Sequence, residues 1–125
     1  MVQDEISRIQ PFEAQAQLFK VLTHPARLAI LAILRDSEEC VCHMEAILGL
    51  RQAYISQQLA VLRESGLVQD RRDGWNKFYR VADARIFETL DIVQRITGVK
   101  VPDVHQAGFR CSCSRCVAEQ QASEK

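Results

Sequence analysis

Apolar residues recur at helical intervals along most of this chain, and in two stretches the rhythm changes to that of a strand. After Pro11, the positions Phe12, Ala16, Phe19 and Leu22 predict a first helix. Thr23-His24-Pro25 interrupts it, and a proline suits the first turn of a second helix. That second helix carries Leu28, Leu31, Ile33 and Leu34 and ends near Arg35. It is apolar on nearly every side, which predicts a central, buried position. A polar connection over residues 36–39 follows, and Cys40-Val41-Cys42 reads as a short extended segment. A third helix runs through Met44, Ile47 and Leu48 to a turn at Gly49. A fourth spans about residues 52–64, with Ile55, Leu59 and Leu62 on one face, and Ser65-Gly66 closes it. Residues 67–72 and 77–81 read as two strands, and Asp73-Gly74 between them is a hairpin signal, because glycine takes positive φ at little cost. A fifth helix over residues 84–97 has the apolar set Ile86, Phe87, Leu90, Val93 and Ile96, and Gly98 ends it.

Helix, helix, helix-turn-helix, hairpin, helix is the order of a winged helix-turn-helix: mainly α with a small β-hairpin. With 125 residues, of which 47% are hydrophobic, the chain is expected to form one domain with a real core. The expected division is an N-terminal arm at 1–11, the winged domain at 12–98 and a cysteine-containing tail at 99–125. In so small a domain the apolar faces of the first and last helices have little to cover. Pairing them across a two-fold axis predicts a homodimer, which also matches palindromic DNA sites. Met1-Val2-Gln3-Asp4-Glu5 is acidic with no apolar run behind it, and no stretch approaches the roughly 20 apolar residues of a membrane span. A cytoplasmic protein with no membrane partner is the expectation.

Overall charge is uninformative, since 16 basic residues balance 16 acidic ones. Its distribution says more: residues 51–80 hold six basic and three acidic side chains, a local excess that suits a DNA-contacting face. The fourth helix offers donors and acceptors at its N-terminal end, namely Gln52, Tyr54, Ser56, Gln57 and Gln58. Glutamine can pair bidentately with adenine edges, while serine and tyrosine suit phosphates. Arg72, Asn76 and Lys77 flank the hairpin tip and are placed to follow the DNA backbone. Trp75 reads as a packing residue of the wing. A polar helix face alone is commonplace; the hairpin directly behind it is what favours double-stranded operator DNA.

Five cysteines fall in two groups, Cys40/Cys42 and Cys111/Cys113/Cys116. In a reducing compartment such clusters read as metal or redox sites rather than a disulfide framework. A lone buried cysteine would be no more than a small apolar residue. Residues i and i+2 of an extended segment, however, point the same way about 6.5 Å apart, so two sulfurs can converge on one soft ion at about 2.3 Å. Cys42 also lies near a helix N-terminus, where the dipole favours thiolate. Arsenite or antimonite takes three thiolates in a pyramid; cadmium, lead or zinc takes three or four ligands. His43 is a further candidate ligand and His105 a weaker one, whereas His24 before Pro25 reads as structural.

Four fragments in order carry a family resemblance: Leu22-Thr23-His24-Pro25-Ala26-Arg27-Leu28; Cys40-Val41-Cys42-His43-Met44; the run from Ser56-Gln57-Gln58-Leu59 to Ser65-Gly66-Leu67-Val68; and Arg71-Arg72-Asp73-Gly74-Trp75-Asn76-Lys77-Phe78-Tyr79-Arg80-Val81. Over roughly residues 12–97 the chain resembles the arsenic-repressor (ArsR/SmtB) family of bacterial metal-responsive repressors. The resemblance implies a homodimer that represses its own operon and lets go when an ion binds. The family usually has His-His where this chain has Gln57-Gln58, a change that touches DNA preference rather than fold. It often draws ligands from the partner's N-terminal arm, but this arm has no cysteine, and the His/Asp set common on the last helix is missing. Cys111, Cys113 and Cys116 are then the natural suppliers of a third thiolate, from either subunit, or they form a separate site.

The leading expectation is a repressor released by arsenite or antimonite, with no organic cofactor. A thiol-redox or persulfide-sensing repressor of the same fold is the alternative, and a small metal-trafficking protein is the alternative of another class. There is no nucleophile–base pair, glycine-rich phosphate loop or carboxylate dyad, so an enzyme is not expected.

Overall fold

A computed structural model describes residues 7–104. The tail cysteines Cys111, Cys113 and Cys116, and His105, lie outside the described residues, as does the start of the expected arm. Within the arm, residues 7–9 are helical and lead into a 3₁₀ turn, Gln10–Phe12. Helix formation there extends further back than the sequence pattern suggests. Pro11 sits at the start of that turn, where its missing N–H costs no internal hydrogen bond.

Helix α1 (Glu13–Val21) follows, and none of its residues is fully buried. His24 then takes an extended conformation and Pro25 opens α2 (Pro25–Ile33). Ile30, Leu31 and Ile33 of α2 are completely buried, as its all-round apolar character requires. Strand β1 is only Glu39–Cys40. Helix α3 (Val41–Leu48) ends at Gly49, whose φ of 65° is the left-handed conformation that glycine adopts cheaply. Helix α4 (Gln52–Glu64) has the expected core face, Ile55, Leu59 and Leu62, all sealed from solvent. Each such side chain contributes about 1.5–3 kcal/mol on burial. Together with Met44 of α3 they fix the angle of α4 against α2 and α3.

Strands β2 (Val68–Asp73) and β3 (Asn76–Val81) form the wing, with Asp73 paired to Asn76. The turn is therefore Gly74-Trp75 rather than Asp73-Gly74. Gly74 takes the first central place with a φ of 61°, the position where a two-residue hairpin favours glycine. The extended segment at Cys40 joins this hairpin, a pairing the sequence pattern does not predict. β1 pairs antiparallel with β3, Cys40 opposite Phe78 and Glu39 opposite Tyr79, giving a three-stranded sheet in the order β1-β3-β2. Helix α5 (Arg85–Thr97) buries Ile86 and Phe87. It is held to the end of α2 by Arg35, which pairs with Asp91 at 2.5 Å and stacks over Phe87. Its second half leaves Ile92, Val93 and Ile96 exposed. No helix among the described residues is long and apolar enough to cross a membrane.

Candidate nucleic-acid interface and thiol cleft

Three faces of α4 have different surroundings. The core face holds Ile55, Leu59 and Leu62. A second stripe, Gln52, Ser56, Ala60 and Arg63, recurs at i, i+4, i+8 and i+11 and lines one wall of a cleft of about 420 Å³. Tyr54 and Gln57 are exposed elsewhere on the helix. Gln58 is turned toward α2: its side-chain carbonyl accepts a 2.8 Å hydrogen bond from Arg27 Nε, while Arg27 also donates to the Val21 carbonyl at 3.0 Å. It thus braces α1, α2 and α4.

The opposite wall of the cleft comes from the wing. Asn76 and Lys77 line it, and Trp75 stands at its rim. Trp75 does not pack into the wing as expected. It is fully exposed, because the second turn residue projects beyond the last paired residues of the hairpin. Lys77 Nζ lies 3.1 Å from Asp70 and 5.6 Å from the Tyr79 ring centre, and Arg63 reaches the same carboxylate at 3.5 Å. The hydrogen bond from Lys77, aided by both cations, holds Asp70 below the usual carboxylate range. Asp70 is therefore charged at neutral pH, and the pair loosens only as pH falls through that lowered value. Arg72 is exposed on the outer strand. Arg71 is committed elsewhere: its Nε donates to both oxygens of Glu38, at 3.0 and 2.8 Å, and its guanidinium covers Phe78 at 4.9 Å.

The floor of the cleft includes Cys40 and Cys42. They are not two residues of one extended segment. Cys40 is extended (φ −87°, ψ 163°) and belongs to β1, whereas Val41 and Cys42 are already in α3. The helix starts early because the Cys40 sulfur caps it, accepting the His43 backbone N–H at 3.4 Å. The alternation argument for convergent sulfurs therefore fails, but both cysteines pack in one cluster around Phe78. Cys40 is buried and Cys42 half-buried. An N–H aimed at sulfur from a helix N-terminus suits a sulfur that carries negative charge. His43 lies 3.8 Å from Glu39, which also accepts a hydrogen bond from Ser37 at 2.8 Å. Among the described residues, no three His, Cys, Asp or Glu side chains converge as a metal site. His24 is exposed at the start of α2.

Of the expected residues, then, Gln52, Ser56, Asn76, Lys77, Cys40 and Cys42 share one cleft, while Tyr54, Gln57, Gln58 and Arg72 lie outside its lining. Arg63 was not anticipated. Its spacing of seven from Ser56 on a helix was the available signal.

A helix-turn-helix followed by a β-hairpin wing is the architecture of winged-helix DNA-binding regulators. Residues 24–70 match the model of the bacterial regulatory protein family arsR. The chain is 45% identical over 102 residues to the arsenical resistance operon repressor of Escherichia coli K12, covering 78% of this chain and 87% of that protein. It is 47% identical over 78 residues to a biofilm growth-associated repressor of Agrobacterium fabrum, covering 60% and 67%. The structure matches a homodimeric winged helix-turn-helix DNA-binding domain from Mycobacterium bovis with a TM-score of 0.63 and 27% identity, over 76% of this chain and 93% of that one. The chain belongs to the arsR family of bacterial transcriptional regulators.

Proposed function

We propose that this protein is a homodimeric repressor that binds double-stranded operator DNA through α4 and the wing and releases it when a thiophilic ion, arsenite or antimonite first, binds Cys40 and Cys42. The observation that carries this reading is the cleft itself, where the thiol pair, Gln52 and Ser56 of α4, and Asn76 and Lys77 of the wing face one space. The donor set fits a soft ion and is short by one thiolate for arsenite. Cys111, Cys113 or Cys116, from the same or the partner chain, supplies it in this reading; cadmium, lead or zinc would use the same sulfurs. The arsenical resistance repressor among the relatives supports the choice of arsenite. Exposed Phe12 and Phe19 at the first helix and exposed Ile92, Val93 and Ile96 on α5 support the homodimer, and the Mycobacterium bovis neighbour is homodimeric.

Titrating the reduced protein with arsenite and with cadmium, while following the fluorescence anisotropy of labelled DNA from the protein's own promoter, tests the proposal. Near-stoichiometric arsenite should release the DNA, with cadmium much less effective. That the described residues bring together two thiols but no third ligand also favours a second reading, thiol-redox or persulfide sensing. Release by peroxide or polysulfide, with neither ion effective, would establish that alternative. No DNA affinity at any salt would leave a metal-trafficking protein.

Asp70 competes with DNA phosphates for Lys77 and Arg63 in this reading. Asp70→Asn should bind operator several-fold more tightly and steepen the dependence of log affinity on log salt by about one unit, the value of one added phosphate contact. Unchanged affinity and slope across a salt series would mean that Lys77 does not meet the backbone.

A further inference from the structure

Cys40 and Cys42 line the same cleft as residues of the surface assigned to DNA. One wall of the cleft is the α4 stripe with Gln52 and Ser56, the other is Asn76 and Lys77, and Cys40 and Cys42 form its floor. Polar groups suited to a phosphate and the two sulfurs thus border one space. Trp75, also in the cleft lining, is fully exposed, so its ring reports directly on anything that covers the cleft.

We propose that a backbone phosphate of bound DNA roofs this cleft, so that DNA and the thiol ligand exclude each other by occupying one space, whatever further movement of α3 the ligand causes. The inference rests on the reading of α4 and the wing as the DNA-binding face. It has a kinetic corollary: the cysteines of the DNA-bound repressor are shielded, and ligand enters protein that has already let go of DNA.

Two probes test this without knowledge of the inducer. The first is the rate at which iodoacetamide alkylates Cys42, followed by peptide mass spectrometry on the full-length reduced protein with and without saturating promoter DNA. Cys42 is half-buried, so it is the better reporter than buried Cys40. The second is acrylamide quenching of Trp75, the only tryptophan of the chain. Anisotropy of the labelled DNA in the same samples reports occupancy. Expected are an alkylation rate at least tenfold lower and a quenching constant at least halved when DNA is bound. Salt that releases the DNA should restore both. An unchanged Cys42 rate at full DNA occupancy overturns the inference and leaves the DNA-binding reading standing. Slowed alkylation with unchanged Trp75 quenching also overturns it, because protection would then arise at a distance. No anisotropy change at any salt removes the underlying reading and this inference together.

Discussion

Cys40→Ser should fold, bind operator like the parent protein and ignore arsenite. Cys40 does two separable jobs. As the N-cap of α3 its sulfur accepts the His43 N–H, and serine is among the best residues at that position. As a candidate ion ligand it needs a thiolate, which serine cannot provide at neutral pH. The hydroxyl must sit in the apolar cluster with Phe78, at a cost of about 1 kcal/mol that the stronger cap bond offsets. A melting temperature within a few degrees of the parent is expected. A ligand-to-DNA coupling of about 3 kcal/mol would otherwise weaken operator binding roughly 100-fold, and that factor should vanish. Cys40→Ala is the control, since it removes both cap and thiolate and should lose about 1 kcal/mol of stability. Anisotropy titrations with and without arsenite on all three proteins read the effect. If Cys40→Ser loses DNA binding, the cysteine is structural. If arsenite still releases its DNA, the ion acts through other sulfurs.

Periodicity made the helices and hairpin legible because each buries one apolar face against a common core. Ile55, Leu59 and Leu62 announce α4 wherever it packs. What periodicity could not give is what happens at junctions and between distant segments. Nothing local tells that Cys40 will pair with Phe78, a contact spanning the whole of α3 and α4, so alternation alone misses that α3 already starts at Val41. Gln57 and Gln58 are equivalent in sequence, but Arg27, 31 residues earlier, engages only Gln58. Arg71, next to the candidate Arg72, is held by Glu38 and the Phe78 ring. The residue type of Trp75 suggests packing, whereas its place in the turn leaves it in solvent. Which of the candidate residues share a space depends on contacts between distant segments, among them the pairing of β1 with β3.

Ile96→Glu should break the proposed homodimer and most of the proposed operator binding with it, while leaving the protomer folded. In the isolated chain Ile96 is 77% exposed, so a carboxylate there costs the monomer almost nothing. In a two-fold interface built on α1 and α5 the substitution appears twice, and each carboxylate is buried without a partner, at several kcal/mol apiece. Dimer dissociation should rise by at least 100-fold, equivalent to about 2.7 kcal/mol. A palindromic site read by two tethered halves then loses its second half, so DNA affinity should fall by a similar or larger factor at nanomolar protein. Sedimentation equilibrium with parallel anisotropy separates the steps: raising protein concentration should restore both dimer and DNA binding in proportion. Arg35 and Asp91, which hold the first half of α5 to α2, should keep the helix in place, so circular dichroism should not change. A variant that remains dimeric and binds operator like the parent would move the interface off the exposed half of α5. The apolar residues there, Ile92, Val93 and Ile96, would then need another partner.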